Sequence, residues 1–231
     1  EWIASGVVSL VGENTYTGQT ILNGGVTEVE SISSLVGNPG DEDVALNASG
    51  LGAPETTAMG TITMGSSSTT ATLRFIGPTL KTDRVIALAG TTGGAIIEQN
   101  GSGTLTLLSD FTATGAGTKT LTFSGNGAGV AAGAIVDNTT TNKTNVAKSG
   151  AGTWTLGGVH TYTGTTTVNT GTLLMTGSIA AGGNVTVASV ATFGGSGTVT
   201  PNTTVNGNLA LNGTLNFGGT LGFGAGARVK L

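Results

Sequence analysis

One segment of the chain occurs twice. Residues 6–29, GVVSLVGENTYTGQTILNGGVTEV, align without a gap on residues 152–175, GTWTLGGVHTYTGTTTVNTGTLLM, and both copies contain Thr-Tyr-Thr-Gly followed by an asparagine and a glycine. A shorter stretch, GSGTLTL at 101–107, matches GAGTWTL at 150–156. A unit that returns in the same register predicts a solenoid, in which each unit packs only on its neighbours.

A finer rhythm runs through the C-terminal part, residues 187–231. Every sixth position is apolar: Val187, Phe193, Val199, Val205, Leu211, Phe217, Phe223 and Val229. With three strands in each turn, six residues per strand give a turn of about 18 residues, so Val187, Val205 and Phe223 are predicted to stack in one interior column. A meander or sandwich of hairpins is the alternative, and the return of one unit in one register favours the solenoid.

Composition supports strands over helices. The 231 residues include 42 glycines, and only 9% are charged and 4% aromatic, while no stretch repeats apolar residues at helical spacing. The predicted fold is all-β, a single-stranded β-solenoid that continues over residues 1–231. Residues 33–60, with prolines and an excess of acid, are predicted to form a loop or insertion, and the polar residues 137–150 an excursion between two turns.

Several partner classes are excluded by charge and hydropathy. The net charge is −4 and the eight basic residues are scattered, so nucleic acid is not an expected partner. No apolar run approaches the roughly 20 residues that span a bilayer, so this segment is not expected to insert into a membrane. The chain contains no cysteine, which is compatible with export, and it begins Glu1-Trp2-Ile3, which predicts a processed or excised segment.

The repeated segments resemble a known family. Residues 148–175, KSGAGTWTLGGVHTYTGTTTVNTGTLLM, and residues 6–29 are similar to the autotransporter-associated β-strand repeat, or passenger-associated transport repeat, and residues 194–215 resemble the segment that follows such repeats. The resemblance implies a right-handed parallel β-helix in the secreted passenger part of bacterial surface proteins, located outside the cell or on its surface. It brings no catalytic residues. Its structural corners fall here on Tyr16, Gly18, Asn23, Tyr162, Gly164 and Asn169.

The chain's one histidine offers little for catalysis. His160 stands where the repeat usually has asparagine, and Asn14 holds that position in the first copy, so we interpret His160 as a polar turn residue and not as a base paired with Glu13 or Asp137. No nucleophile motif, phosphate loop or metal-binding pair is present, and neither a cofactor nor a metal is expected. The chain is therefore predicted not to be an enzyme.

Three binding alternatives stay open. The acidic run Asp41–Asp43 could hold calcium, although its spacing fits no known calcium loop. Tyr16 and Tyr162 could stack on sugars, but repeated aromatics more often pack on the next turn. Arg74, Asp83 and Arg84 are the compact mixed-charge group that a carbohydrate-binding or polysaccharide-degrading β-helix would need, with surface glycans as partners. Recurrent Thr-x-Thr pairs are read as outward strand positions and not as an ice-binding lattice.

The function that follows is structural: a segment or subunit of a bacterial surface fibre, filament, stalk or adhesin. The terminal turns of a solenoid expose unpaired backbone groups. The expected partners are therefore copies of the same chain end to end, or the rest of a longer solenoid. The residues predicted at this contact come from the first and last turns: Trp2, Ile3, Val8, Leu10, Leu215, Phe217, Leu221, Phe223 and Val229.

Overall fold

Short parallel strands make up almost all of the regular structure. The computed structural model describes residues 6–35, 48–180 and 182–230. The strands, in chain order, are β1 (Val7–Leu10), β2 (Thr20–Leu22), β3 (Gly25–Val29), β4 (Ile62–Met64), β5 (Ala71–Phe75), β6 (Leu80–Thr82), β7 (Ile86–Leu88), β8 (Ala95–Gln99), β9 (Thr104–Leu107), β10 (Thr112–Ala113), β11 (Lys119–Gly125), β12 (Ala128–Ala131), β13 (Thr144–Lys148), β14 (Thr153–Leu156), β15 (Val159–His160), β16 (Thr166–Val168), β17 (Gly171–Met175), β18 (Ser178–Ile179), β19 (Val185–Val187), β20 (Ala191–Gly195), β21 (Thr198–Val199), β22 (Thr203–Val205), β23 (Asn208–Leu211), β24 (Asn216–Phe217), β25 (Leu221–Phe223) and β26 (Arg228–Lys230). One helical turn, α1 (Thr57–Gly60), lies between β3 and β4.

These strands form three faces around one core. The first face is a 10-stranded sheet in the order β1-β3-β5-β8-β11-β13-β16-β19-β22-β25, and the second is an 8-stranded sheet, β6-β9-β12-β14-β17-β20-β23-β26. Two 4-stranded sheets, β2-β4-β7-β10 and β15-β18-β21-β24, follow one another on the third face. Because the chain visits the faces in turn and neighbouring turns pair in parallel, the fold is the predicted parallel β-solenoid.

The predicted turn length is confirmed on the first face. Val187 pairs with Val205 and Val205 with Phe223, so each of these turns takes 18 residues and the three side chains share one column. On the second face the six-residue periodicity does not predict which residues pair. Phe193 stacks with Leu209 and Val229, whereas Leu211 lies opposite Gly195. The corners between the first and second faces contain three, two and four residues in successive turns, which shifts the register of the strands that follow them.

The two predicted interruptions have different outcomes. Val26 pairs with Thr72, so the second turn is far longer than its neighbours, and the extra residues include the region predicted at 33–60. The excursion predicted over 137–150 is too long, because its second half is strand β13, which pairs with β11 and β16. Only the residues before Thr144 leave the regular turn. The prediction missed the alternation of inward residues in Thr144–Lys148, which marks a strand within an otherwise polar segment.

The core is filled by side chains that alternate along each strand. In β14, Trp154 and Leu156 point inward and are buried, while the intervening threonines face outward. The ring of Trp154 lies 4.6 Å from that of Phe123, and Phe111 meets Phe123 edge-on at 6.0 Å. These ring contacts join side chains of different faces within the core.

Candidate functional site: the repeat corner and the end turns

Each copy of the repeat forms one complete turn of the solenoid, because its first strand pairs with its last. In the first copy β1 pairs with β3, with Val7 opposite Val26. In the second copy β14 pairs with β17, with Thr153 opposite Thr172. Because the first and last strands of one unit are hydrogen-bonded to each other, a single copy of the sequence contains the information for a complete turn.

The two copies lie on different faces. Strands β1 and β3 belong to the first face, but their equivalents β14 and β17 belong to the second. Likewise β2 lies on the third face and its equivalent β16 on the first. The turns between the copies have unequal lengths, so the second copy begins one face further round the axis. The unit thus specifies a strand and a corner, and it fits any of the three faces.

A hydroxyl pair fixes the corner in both copies. The Tyr162 hydroxyl lies 2.7 Å from Oγ1 of Thr166, and the Tyr16 hydroxyl lies 3.1 Å from Oγ1 of Thr20. Tyr162 is buried, and its burial raises the pKa of its hydroxyl, whereas 41% of Tyr16 is exposed. Tyr162 is therefore inaccessible to a sugar ring. Sequence reasoning identified the tyrosines but missed their threonine partners four residues later, although both are repeated.

The glycine that ends each corner has a backbone conformation that disfavours other residues. Gly25 and Gly171 have φ angles of 67° and 68°, in the left-handed region. The other corner residues lie close by. Gly164 sits against the backbone of the preceding turn. Asn169 donates its main-chain N–H to the carbonyl of Lys148, and the main-chain carbonyl of Asn23 accepts from Oγ of Ser66. Gly18 precedes β2 and is exposed.

The interpretation of His160 as a turn residue is wrong. His160 lies in β15, opposite Ile179, and is fully buried. Its Nδ1 accepts the N–H of Ile135 at 3.1 Å, so the neutral ring carries its proton on Nε2, for which no partner lies among the described residues. Burial lowers the pKa of His160 to about 4, although Asp110 acts in the opposite direction. In the first copy Asn14 instead faces the inserted segment and donates to the carbonyl of Gly50 at 3.1 Å.

Side-chain hydrogen bonds supplement main-chain ones across a gap in the third face, where the N–H of Phe111 donates to the carbonyl of Ala134 and that of Thr161 to the carbonyl of Ile135. No strand lies on this face between β10 and β15 in the described residues. There the N–H of Ala134 donates to Asp110 at 2.6 Å, the N–H of Ile135 donates to His160, and the N–H of Thr163 donates to Asp137 at 2.9 Å. Asp137 thus serves as an acceptor for backbone groups, and its carboxylate does not pair with His160. The Nδ1 atom of His160 therefore accepts a main-chain N–H where a main-chain carbonyl would accept it in a strand pair.

The mixed-charge group predicted for carbohydrates does not form one surface. Arg74 lies outward on the first face, 2.9 Å from Glu98 and 3.5 Å from Glu28. Arg84 is buried, donates from Nε to the carbonyl of Gly60 at 2.6 Å, and has its pKa lowered by burial to about 10. Asp83 accepts the N–H of Leu35 at 2.7 Å. Arg84 therefore contributes to the interior and cannot line an open groove.

Two buried lysines were missed by sequence reasoning. The ammonium of Lys148 donates to the carbonyls of Ser149, Gly150 and Thr170, and that of Lys119 donates to those of Gly115 and Gly117. Burial lowers both pKa values, that of Lys148 to about 8. Lys148 holds a corner between the first and second faces, and Lys119 holds the corner between the third and first faces. The inward alternation of Thr144, Val146 and Lys148 was the available signal.

The end turns differ from the rest in exposing core positions. Among the described residues, a cavity of about 730 Å³ is lined by first-turn residues between Val8 and Thr27, including Leu10 and Leu22. At the other end, Phe223 and Val229 occupy core columns but are 50% and 51% exposed. Partly buried apolar residues pack beneath them: Leu211, Leu215, Phe217 and Leu221.

Some predicted residues lie outside the described part of the chain. These are Trp2 and Ile3 of the expected contact and the acidic run 41–43 considered for calcium. Within residues 6–35, 48–180 and 182–230, no three acidic or histidine side chains are grouped to hold a metal ion. The single described helix is too short to cross a bilayer.

The fold and its corners define a three-faced parallel β-solenoid built from turn-closing repeats. Two segments of this solenoid, residues 5–29 and 146–175, match the family model of the passenger-associated-transport-repeat. These are the two copies that the internal alignment identified. The repeat belongs to autotransporter passenger domains, which implies a secreted or surface-exposed protein. No curated protein and no solved structure matches the chain.

Proposed function

We propose that this chain is a non-enzymatic structural rod, a segment or subunit of a bacterial surface fibre, stalk or adhesin. The observation that carries the proposal is the 10-stranded parallel sheet of the first face, in which each strand pairs with the next turn. Such continuous pairing along one axis gives an elongated rod in which each turn contacts only its neighbours. The chain's repeated unit adds one closed turn at a time, which suits a spacer.

Interior polar groups support the same role. Arg84, Lys119 and Lys148 are buried, yet they donate to main-chain carbonyls of corners. Each group holds the path of the backbone and faces away from solvent. A charge used in this way supports a fixed rod, because removing it would leave several carbonyls without donors.

Surface location is tested on intact cells of the source bacterium. Immunogold labelling with antibodies against the purified chain is expected to decorate the cell exterior, and brief protease treatment of intact cells should remove the label. A cytoplasmic protein serves as the control for cell integrity. Labelling that requires permeabilised cells would contradict the proposal.

A further inference from the structure

We propose that Asn212 and Gly213 form a self-modification site, at which the asparagine converts to aspartate and isoaspartate with water as the co-reactant. The pair lies in the corner between β23 on the second face and β24 on the third. The inference is independent of the proposed structural role. It stands on a comparison of this pair with the four other Asn-Gly pairs of the sequence, at 23–24, 100–101, 126–127 and 206–207.

The reaction needs a main-chain nitrogen that can reach the side-chain amide of the preceding residue. The nitrogen of Gly213 loses its proton and bonds to Cγ of Asn212, the Cγ–Nδ2 bond breaks, and ammonia leaves behind a cyclic succinimide. Water then opens the ring, and attack at Cγ gives aspartate whereas attack at the main-chain carbonyl carbon gives isoaspartate. Glycine leaves the approach to the nitrogen unhindered because it has no Cβ.

Hydrogen bonds hold the nucleophile in two of the other pairs. The N–H of Gly101 donates to Oε1 of Gln99 at 2.7 Å, and the N–H of Gly127 donates to the main-chain carbonyl of Gln99 at 2.8 Å. In addition, Nδ2 of Asn100 donates to Glu98 at 2.8 Å. A nitrogen held in this way must first break its hydrogen bond, so conversion at these pairs requires local opening of the fold.

Packing restrains the remaining two pairs. Gly207 is buried, and a Cβ placed on it would lie 2.3 Å from the main-chain oxygens of Ala188 and Ala191. A Cβ placed on Gly24 would lie 2.6 Å from Cγ2 of Thr69, and the asparagine before this glycine is half-buried. The main chain at both glycines therefore has little room to rotate towards the preceding side chain.

Neither restraint acts on Asn212 and Gly213. Both residues are exposed, and the one atom within 4 Å of a Cβ placed on Gly213 is Cβ of Ser196, at 3.3 Å. Within the described part of the chain, the N–H of Gly213 and the side-chain amide of Asn212 have no hydrogen-bond partner. The nitrogen and the amide are therefore free to meet without prior opening of the fold.

The free N–H of Gly213 follows from the length of its corner. In each of the two preceding turns the same corner contains two residues, and the N–H groups of Gly177 and Gly197 there donate to carbonyls of the turn before. The corner at 212–215 contains four residues. The extra residues leave the main-chain ladder, and Gly213 takes a φ angle of 104°, which glycine tolerates.

The exposure of Asn212 is shared by equivalent positions inside the solenoid. Thr176 and Ser196 begin the same corner in the two preceding turns and are exposed, although each of them lies between two further turns. Asn212 therefore faces outward because of its place in the turn.

Conversion adds a charge to a part of the solenoid that has none at its surface. Residues 149–227 contain no Asp, Glu, Lys or Arg, and His160 within them is buried. The carboxylate formed at Asn212 is thus the first acidic group in this stretch, and isoaspartate also lengthens the main chain of the corner. Because ammonia is lost, the charge accumulates with the age of the molecule.

Ageing of the purified 231-residue chain in mildly alkaline buffer, followed by pepsin digestion at acid pH and mass spectrometry, tests the site. Acid suppresses further succinimide formation during digestion, and residues 149–227 contain no cleavage site for trypsin. In the folded chain Asn212 is expected to convert at least about tenfold faster than the other four asparagines, because they require local opening first. In urea the five rates should become similar.

Two variants separate this reaction from general ageing. Asn212→Ser removes the reacting amide, and Asn216→Ser is the matched control, because Asn216 is exposed after the same corner but precedes Phe217, whose side chain hinders attack. Wild type and Asn216→Ser should accumulate acidic species on isoelectric focusing, whereas Asn212→Ser should not. Circular dichroism establishes that all three are folded.

An Asn212 that stays intact in the folded chain, or five pairs that convert at equal rates while the chain is folded, would overturn the inference. Surface labelling of cells is independent of this result, so either proposal can fail alone.

Discussion

At the scale of single residues, the corner tyrosine and threonine form the smallest functional element of the repeat. The same hydroxyl pair joins two buried residues at Tyr162 and Thr166, whereas at Tyr16 and Thr20 the tyrosine is exposed and the threonine buried. The chain therefore contains a natural comparison of one hydrogen bond in two environments. A buried hydroxyl that loses its partner has no water to replace it.

We expect Tyr162→Phe to lower the free energy of unfolding by about 1–2 kcal/mol, because it leaves the Thr166 hydroxyl unpaired in the core. The matched variant Tyr16→Phe should cost less than about 0.5 kcal/mol, since Tyr16 is exposed to water and Oγ1 of Thr20 still accepts from Arg84. Urea denaturation followed by circular dichroism measures both. Equal losses at the two positions would show that the hydroxyl pair acts independently of burial.

His160 makes stability depend on pH below neutrality. Its pKa is about 4 in the folded chain and about 6.5 when unfolded, so between these values only the unfolded chain takes up the proton. The contribution of His160 to the free energy of unfolding is fully present above pH 6.5. This contribution falls by about 1.4 kcal/mol for each pH unit down to pH 4, and by about 3 kcal/mol in all. Protonation would also remove the Nδ1 acceptor of Ile135.

The difference between wild type and His160→Gln isolates this effect from the titrating acids. Glutamine can keep an acceptor near Ile135 but does not titrate, so its stability curve should be flatter between pH 4 and 6.5. Urea midpoints at half-unit pH intervals measure both proteins. Parallel curves for the two proteins would show that His160 does not couple protonation to folding.

At the scale of elements, Arg84 joins three parts of the chain. Its guanidinium donates to the carbonyl of Gly60 at the end of α1, to that of Leu51 in the inserted segment, and to Oγ1 of Thr20 in β2 at 3.1 Å. The interruption in the second turn is thereby anchored to the third face. The guanidinium donates from three separate nitrogens in one plane and so reaches acceptors in three parts of the chain, whereas an ammonium offers all its donors from one atom.

We expect Arg84→Lys to destabilise the chain by about 2–4 kcal/mol and to raise hydrogen exchange locally in residues 48–60. Arg74→Ala is the control, because Arg74 forms surface ion pairs that contribute less than about 1 kcal/mol. Hydrogen exchange read by mass spectrometry locates the change. Unchanged exchange in residues 48–60 of Arg84→Lys would rule out the anchoring role.

The fold was accessible from the sequence because strand periodicity and repetition act locally. The repeat predicted the solenoid, and the six-residue rhythm predicted the column of Val187, Val205 and Phe223. The shift in pairing register at Leu211 was not predictable, because it depends on the lengths of the corners, which are defined only once the path of the whole chain is known. His160 was misread since its first-copy equivalent, Asn14, faces the inserted segment, so the two positions share a sequence context but have different surroundings.

At the scale of the whole molecule, the solenoid has a direction. Every turn enters in the same sense, the first turns are acidic, and the last turns are basic. The described part of the solenoid is therefore electrically asymmetric along its axis, and salt screens the field of this asymmetry.

The sheet of the first face sets the length of this rod. Its ten strands, spaced by about 4.8 Å, occupy about 48 Å along the solenoid axis. We therefore expect the purified chain to be an elongated particle whose longest dimension is at least about 48 Å. Small-angle X-ray scattering of the monomeric chain measures this dimension. A longest dimension well below that value would show that the ten strands do not form one continuous sheet in solution, because strand spacing fixes their combined length.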